Sequence, residues 1–161
     1  MFSITFRDKK MSSCKNHKTC TNEALKNAKM VCKKKGVKLT KLRETVLKLI
    51  WKSHSYVKAY DLLEDLQRID NSAKPPTVYR SLDFLIEHGL IHKIQSLNAY
   101  VGCSHPDEHD SCYFLICNEC HNIEEHCSIN INDIVKNNSW GKSFLPNQVT
   151  LEISGVCGEC T

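Results

Sequence analysis

The chain has 161 residues, 41% hydrophobic and 25% charged, which suits one ordinary domain or two small ones and excludes a disordered chain. Its apolar runs fall far short of the roughly 20 residues that span a bilayer, and no sustained apolar core follows Met1, so neither a membrane span nor a signal peptide is expected. The formal net charge of +4 divides into +11 over residues 1–100 and −7 over residues 101–161, and seven of the ten cysteines lie in the acidic part. A basic half joined to an acidic, cysteine-rich half points to two units with different partners.

Residues 1–20 read as a flexible, Lys-rich tail, with Met11 as a second possible start. Cys14, His17 and Cys20 are spaced by three, a metal-binding pattern or incidental thiols on a basic tail. Thr21 or Asn22 is expected to cap a first helix with Leu25, Ala28, Val31 and Cys32 on one stripe, ended by Gly36. Thr40 caps a second, with Leu42, Val46, Leu49 and Ile50 inward. A third is predicted near Val57–Ile69, burying Ala59, Leu62, Leu63 and Leu66. Pro75 and Pro76 fit the first turn of a fourth, which turns Val78, Leu82, Leu85 and Ile86 inward and stops at Gly89. Leu90–Gln95 and Asn98–Val101 then read as a hairpin about Ser96-Leu97. Helices followed by a hairpin, over residues 21–101, give the order of a winged helix-turn-helix DNA-binding unit.

The fourth helix leaves Thr77, Tyr79, Arg80, Asp83 and Phe84 largely outside its inward stripe. Arg80 can pair with guanine or grip phosphate, and Tyr79 can meet thymine methyls or phosphate. Thr77 and Ser81 are short enough for the DNA backbone to approach. Lys33, Lys34, Lys35, Lys38, Lys41 and Arg43 supply attraction to phosphate. Simple solvation explains a lone basic run equally well, but a +11 half with this helix order favours nucleic acid.

In the second half, Tyr113–Cys117, Asn122–Cys127 and Gln148–Ser154 read as strands and Ile129–Trp140 as a helix. The fold class is therefore α+β: a winged helix followed by a small α+β metal-binding dimerisation unit over residues 102–161. Cys117-x-x-Cys120 and Cys157-x-x-Cys160 are two knuckles that together supply a closed structural zinc site. A thioredoxin-like redox role explains one such motif but not a pair. The absence of a secretory signal implies a cytoplasmic, reducing setting, where structural disulfides are rare. His92, Cys103, His105, His109, Cys112, Glu124, Glu125 and His126 crowd the junction of the two halves. A metal held there by both halves would lock their orientation and couple metal concentration to DNA affinity. Cysteine among the donors favours zinc over manganese or magnesium, and less decisively over ferrous iron.

Ala73-Lys74-Pro75-Pro76-Thr77-Val78-Tyr79-Arg80-Ser81-Leu82-Asp83-Phe84-Leu85 is the most distinctive stretch. With Val37–Thr40 and Arg43, Ala59–Leu63, His92-Lys93, Tyr100–Cys103 and the two knuckles, it resembles the ferric uptake regulator family, and within it the zinc uptake regulators, over roughly residues 22–160. The resemblance implies a homodimeric, zinc-responsive repressor that binds A+T-rich palindromic operator DNA of zinc-uptake genes. It implies two zinc ions per chain, no small-molecule substrate and no membrane partner. Cys117, Cys120, Cys157 and Cys160 match its structural site, and His92, Cys103 and Glu125 match regulatory ligands. His109 is taken as the fourth, although it stands eight residues before Cys117 where the family usually has seven; His105, Asp110 and Cys112 are the alternatives. Tyr79 and Arg80 match the DNA-contacting pair. An iron- or peroxide-responsive relative is the nearest alternative, disfavoured by Cys103. A zinc hydrolase or thiol oxidoreductase is more distant, since no nucleophile–base arrangement is visible.

Overall fold

The computed structural model describes residues 17–52, 55–127 and 149–161. The expected helix Ile129–Trp140, Cys14 and the start of the last strand at Gln148 lie outside them. Among the described residues are α1 (His17–Lys34), α2 (Lys41–Ile50), α3 (Ala59–Ile69) and α4 (Pro75–Glu87), then β1 (Ile91–Ile94) and β2 (Ala99–Gly102). A short 3-10 helix, Pro106–Ser111, leads into β3 (Tyr113–Cys117), β4 (Ile123–His126) and β5 (Leu151–Gly155). None of the described helices is long and apolar enough to cross a membrane.

Local chemistry accounts for most boundaries. Thr40 accepts the Arg43 N–H at the start of α2, which satisfies one of the helix's orphan donors. Pro75 and Pro76 open α4, where a missing N–H costs nothing. Gly36 follows α1 and Gly89 follows α4, each at positive φ. The first helix begins earlier than the sequence suggests. Thr21 does not cap it but lies in its second turn and donates to the Trp51 carbonyl, so His17–Cys20 is helical and Cys20 packs on the core. That contact ties the second turn of α1 to the end of α2.

Leu47, Ile50, Leu62, Leu66, Val78, Leu82 and Leu85 form the buried centre of the helical unit. Phe84 departs from expectation. It is buried, with the Arg43 guanidinium 3.5 Å above its ring and Arg43 Nη1 donating to the Lys38 carbonyl at 2.8 Å. Ser81 is also buried, its hydroxyl spent on the Thr77 carbonyl, so it presents no surface to a partner.

The hairpin serves two cores at once. In its antiparallel register Ile91 faces Gly102 and Lys93 faces Tyr100, while His92 faces Val101 and Ile94 faces Ala99. Side chains alternate along a strand, so these pairs take opposite faces. Ile91 and Tyr100 pack with the helices, and Ile94 and Val101 pack with Phe114, Ile116 and Ile123 of the second sheet. That sheet has the order β4-β3-β5, with β4 antiparallel and β5 parallel to β3. Gly102 is required by contact: a Cβ there would run into the Trp51 indole.

Candidate metal centres and nucleic-acid face

The two knuckles meet at the ends of β3 and β5. Parallel pairing of β3 with β5 brings Cys117 opposite Gly155, two residues before Cys157. The Asn118 N–H donates to the Gly155 carbonyl, and the Cys157 N–H donates to Cys117 Sγ. All four sulfurs of Cys117, Cys120, Cys157 and Cys160 lie within 4.8 Å of one another. Cys120 and Cys157 are 3.7 Å apart, close to the edge of about 3.8 Å for a tetrahedron with zinc–sulfur bonds of about 2.3 Å. The N–H groups of Cys120 and Cys157 pull the Cys117 thiol down to about 6, whereas hydrogen bonds with Cys157 and Cys120 push Cys160 up to about 12. These N–H bonds favour the thiolate at Cys117, the form in which a cysteine binds a cation. The donor set fits a closed zinc site.

The second cluster spans the two units. Register explains its assembly. On β4, Glu125 pairs with Phe114 and Ile123 pairs with Ile116, so Glu125 points the same way as the apolar face that meets the hairpin. His92 stands on the hairpin face that meets it. Their side chains, 8% and 2% exposed, come together with His92 Nε2 2.8 Å from Glu125 Oε1. The Ser104 N–H donates to Glu125 Oε2 at 2.8 Å, and Cys103 Sγ lies 3.5 Å from Oε1. His109, on the 3-10 helix, stacks on His92 with ring centroids 4.1 Å apart. Donor atoms of His92, Cys103 and His109 are mutually within 4.8 Å. Gly89 makes room for this ring, since a Cβ there would sit 3.1 Å from His109 Cγ.

Electrostatics at this cluster are opposed. Burial pushes the Glu125 carboxyl up, but hydrogen bonds from His92 and Ser104 outweigh it and hold the group below its usual range. Burial, then the Glu125 charge, pushes the Cys103 thiol far above its usual value. One anion, two imidazoles and one poised thiol make a mixed nitrogen, oxygen and sulfur set suited to zinc.

Of the remaining candidates, Cys112 approaches His92 and Glu125, and His105 approaches Glu125 and Cys127. Glu124 faces away, because its partner Leu115 alternates with Phe114; it lies 3.5 Å from His126. The side chain of Asp110 is outside the described residues, as is that of His17. A reducing setting favours free thiols, yet the structure pairs Cys112 with Cys127 in a disulfide. Glu152 of β5 is a further residue of this junction that no sequence motif marks. This carboxylate accepts the N–H of Gln95 at 2.6 Å and of Ser96 at 3.1 Å, tying the hairpin turn to the second sheet. Only the parallel register of β5, which sets Glu152 beside Phe114, could have revealed it.

On the helical face, Tyr79 is 50% exposed, Arg80 is exposed beside it, Thr77 is half-buried at the first turn, and Lys41 is exposed at the start of α2. Lys33, Lys34, Lys35 and Lys38 are exposed too. An exposed aromatic and an exposed cation side by side on one helix, in a unit whose lysines are exposed, suit a polyanion.

The model of the ferric uptake regulator family matches residues 34–154. The zinc uptake regulation protein of Escherichia coli (strain K12) is 39% identical over 145 residues, 89% of this chain and 84% of that protein. The peroxide operon regulator of Bacillus subtilis (strain 168) is 26% identical over 142 residues, 85% of this chain and 93% of that protein. A zinc uptake regulator solved in complex with zinc and DNA superposes with a TM-score of 0.80 at 37% identity, covering 87% of this chain and 94% of that one. The holo form of XcZur superposes at 0.77 with 38% identity, covering 87% and 97%. Its architecture, its ligand clusters and these similarities together establish that the chain belongs to the ferric uptake regulator family.

Proposed function

We propose that this chain is a zinc-responsive transcriptional repressor that binds operator DNA of zinc-uptake genes when its regulatory zinc site is filled. It acts as a cytoplasmic homodimer on A+T-rich palindromes and is not an enzyme. Residues 21–101 form the DNA-binding unit and residues 102–161 the metal-binding dimerisation unit. Each chain takes two zinc ions. Cys117, Cys120, Cys157 and Cys160 hold the structural one; His92, Cys103, His109 and Glu125 hold the sensing one. Thr77, Tyr79, Arg80 and Lys41 meet DNA. Arg43 fixes α2 against Phe84 and retains N–H donors for phosphate.

The observation that carries this reading is the meeting of His92, from the hairpin, with Glu125, from the second sheet. Zinc supplies a charge that draws both units' donors to one point. The residues themselves do the rest. His92 and Glu125 set the angle between units, Ser104 orients the carboxylate, and Gly89 admits His109. Fixing that angle fixes the hairpin and α4 together, so the free energy of metal binding favours the DNA-competent arrangement.

Operator binding is measured by anisotropy at buffered free zinc and, separately, buffered free ferrous iron. Tight binding that rises with zinc supports the reading. A response to ferrous iron alone would instead identify an iron- or peroxide-responsive relative.

A further inference from the structure

Cys112 and Cys127 have no part in the function proposed above, yet both stand at the edge of the sensing cluster. The β3–β4 ladder ends at the pair Tyr113 and His126, so Cys112 and Cys127 face each other one step beyond its last rung. Their disulfide lengthens the pairing by one residue. Cys112 directly follows the 3-10 helix that carries His109, and Cys127 lies two residues past Glu125. The bond therefore joins the segment bearing one sensing ligand to the strand bearing another. It lies against the donors themselves: Cys112 Sγ is within 4.8 Å of the donor atoms of His92 and Glu125. Cys127 Sγ is 3.4 Å from Glu125 Oε1. Cys103 stays outside the disulfide and keeps its thiol for metal.

We propose that Cys112 and Cys127 form a reversible disulfide latch that holds His109 in register with Glu125, so that thiol redox state sets the zinc affinity of the sensing site. This rests on the reading of that site as a zinc site. The oxidant is a low-molecular-weight disulfide. Cys127, the more exposed of the two, attacks it as a thiolate; a mixed disulfide forms and one small thiol leaves. Cys112 then attacks the mixed disulfide and expels the second small thiol. Both protein thiols give up their protons, and the two electrons end on the two small thiols released. A dithiol reductant reverses the exchange.

Fixing the segment next to a ligand lowers the cost of bringing that ligand to the metal. Groups that orient metal ligands typically alter affinity by about 10- to 100-fold, and the latch is expected to act at the lower end, about tenfold.

The test uses the full-length, zinc-loaded protein. Exposure to glutathione disulfide followed by peptide mass mapping should yield a Cys112–Cys127 cross-link that a dithiol removes; failure of that cross-link to form overturns the proposal. Zinc affinity of the sensing site is then measured against a chromophoric chelator in both redox states. About tenfold tighter binding in the oxidised state supports the latch. Cys112→Ser and Cys127→Ser should each show the affinity of the reduced parent in both states; two variants guard against one that misfolds. Equal affinities, tighter binding on reduction, or redox dependence that survives both substitutions overturns the latch alone. A chain that forms the cross-link but takes up no second zinc in either state overturns the zinc-site reading and the latch with it.

Discussion

His92 Nε2 and Glu125 Oε1 lie 2.8 Å apart, although they are 33 residues apart in the chain and belong to different sheets. Each is buried, and each reaches the other because alternation along its strand aims it at the interface between the two cores. A pair so placed measures the angle between the two units.

Zinc uptake at this site should release a proton from Cys103. Burial and the neighbouring Glu125 charge keep that thiol protonated at neutral pH. Zinc binds the thiolate, so affinity must rise with pH and fall as pH drops, by about tenfold per pH unit for each proton released. Titration calorimetry in buffers of different ionisation enthalpy reads the proton count. Zinc uptake at the sensing site with no such release would remove Cys103 from the ligand set.

Gly89→Ala should weaken both fold and sensing site. Its φ of +69° costs a side chain about 1–2 kcal/mol. Its new Cβ would also press on His109, 3.1 Å away at Cγ. Gly36→Ala is the control, since φ there is +66° but nothing lies within 4 Å. Denaturant unfolding should detect both substitutions, whereas chelator competition should detect only Gly89→Ala.

Arg80→Ala should weaken operator binding without changing zinc content. A bidentate contact to guanine would cost about 1–3 kcal/mol and relax specificity at one position. A phosphate contact would lower affinity across all sequences and reduce the salt slope by about 1. Anisotropy titrations at several salt concentrations, on matched and mismatched duplexes, separate the two. Unchanged binding in both series would place Arg80 outside the interface.

Glu152→Gln should loosen the hairpin turn. The amide leaves one acceptor oxygen where the carboxylate offers two, so one of the two N–H bonds from Gln95 and Ser96 is lost, at about 1 kcal/mol. Hydrogen exchange at those two amides should quicken and operator affinity should fall, with both zinc sites still filled. Exchange rates that match the parent would show that the turn holds itself.

Much of this protein is written locally. Helical periodicity, the Thr40 cap, the paired prolines of α4, the glycines at helix ends and the two-residue spacing of the knuckle cysteines each depend on neighbours a few positions away. Those signals specify element types and donor chemistry in the sequence itself. The split between a +11 part and a −7 part is likewise a property of the sequence alone. What the tertiary structure decided is which faces meet. The contact of Thr21 with Trp51, the burial of Phe84 beneath Arg43, the separation of Glu125 from Glu124, the pairing of Cys112 with Cys127 and the reach of Glu152 to the hairpin turn depend on register and packing between distant segments. A shift of one residue in a strand would exchange its two faces, so a list of donors becomes a site only once pairing between strands is fixed.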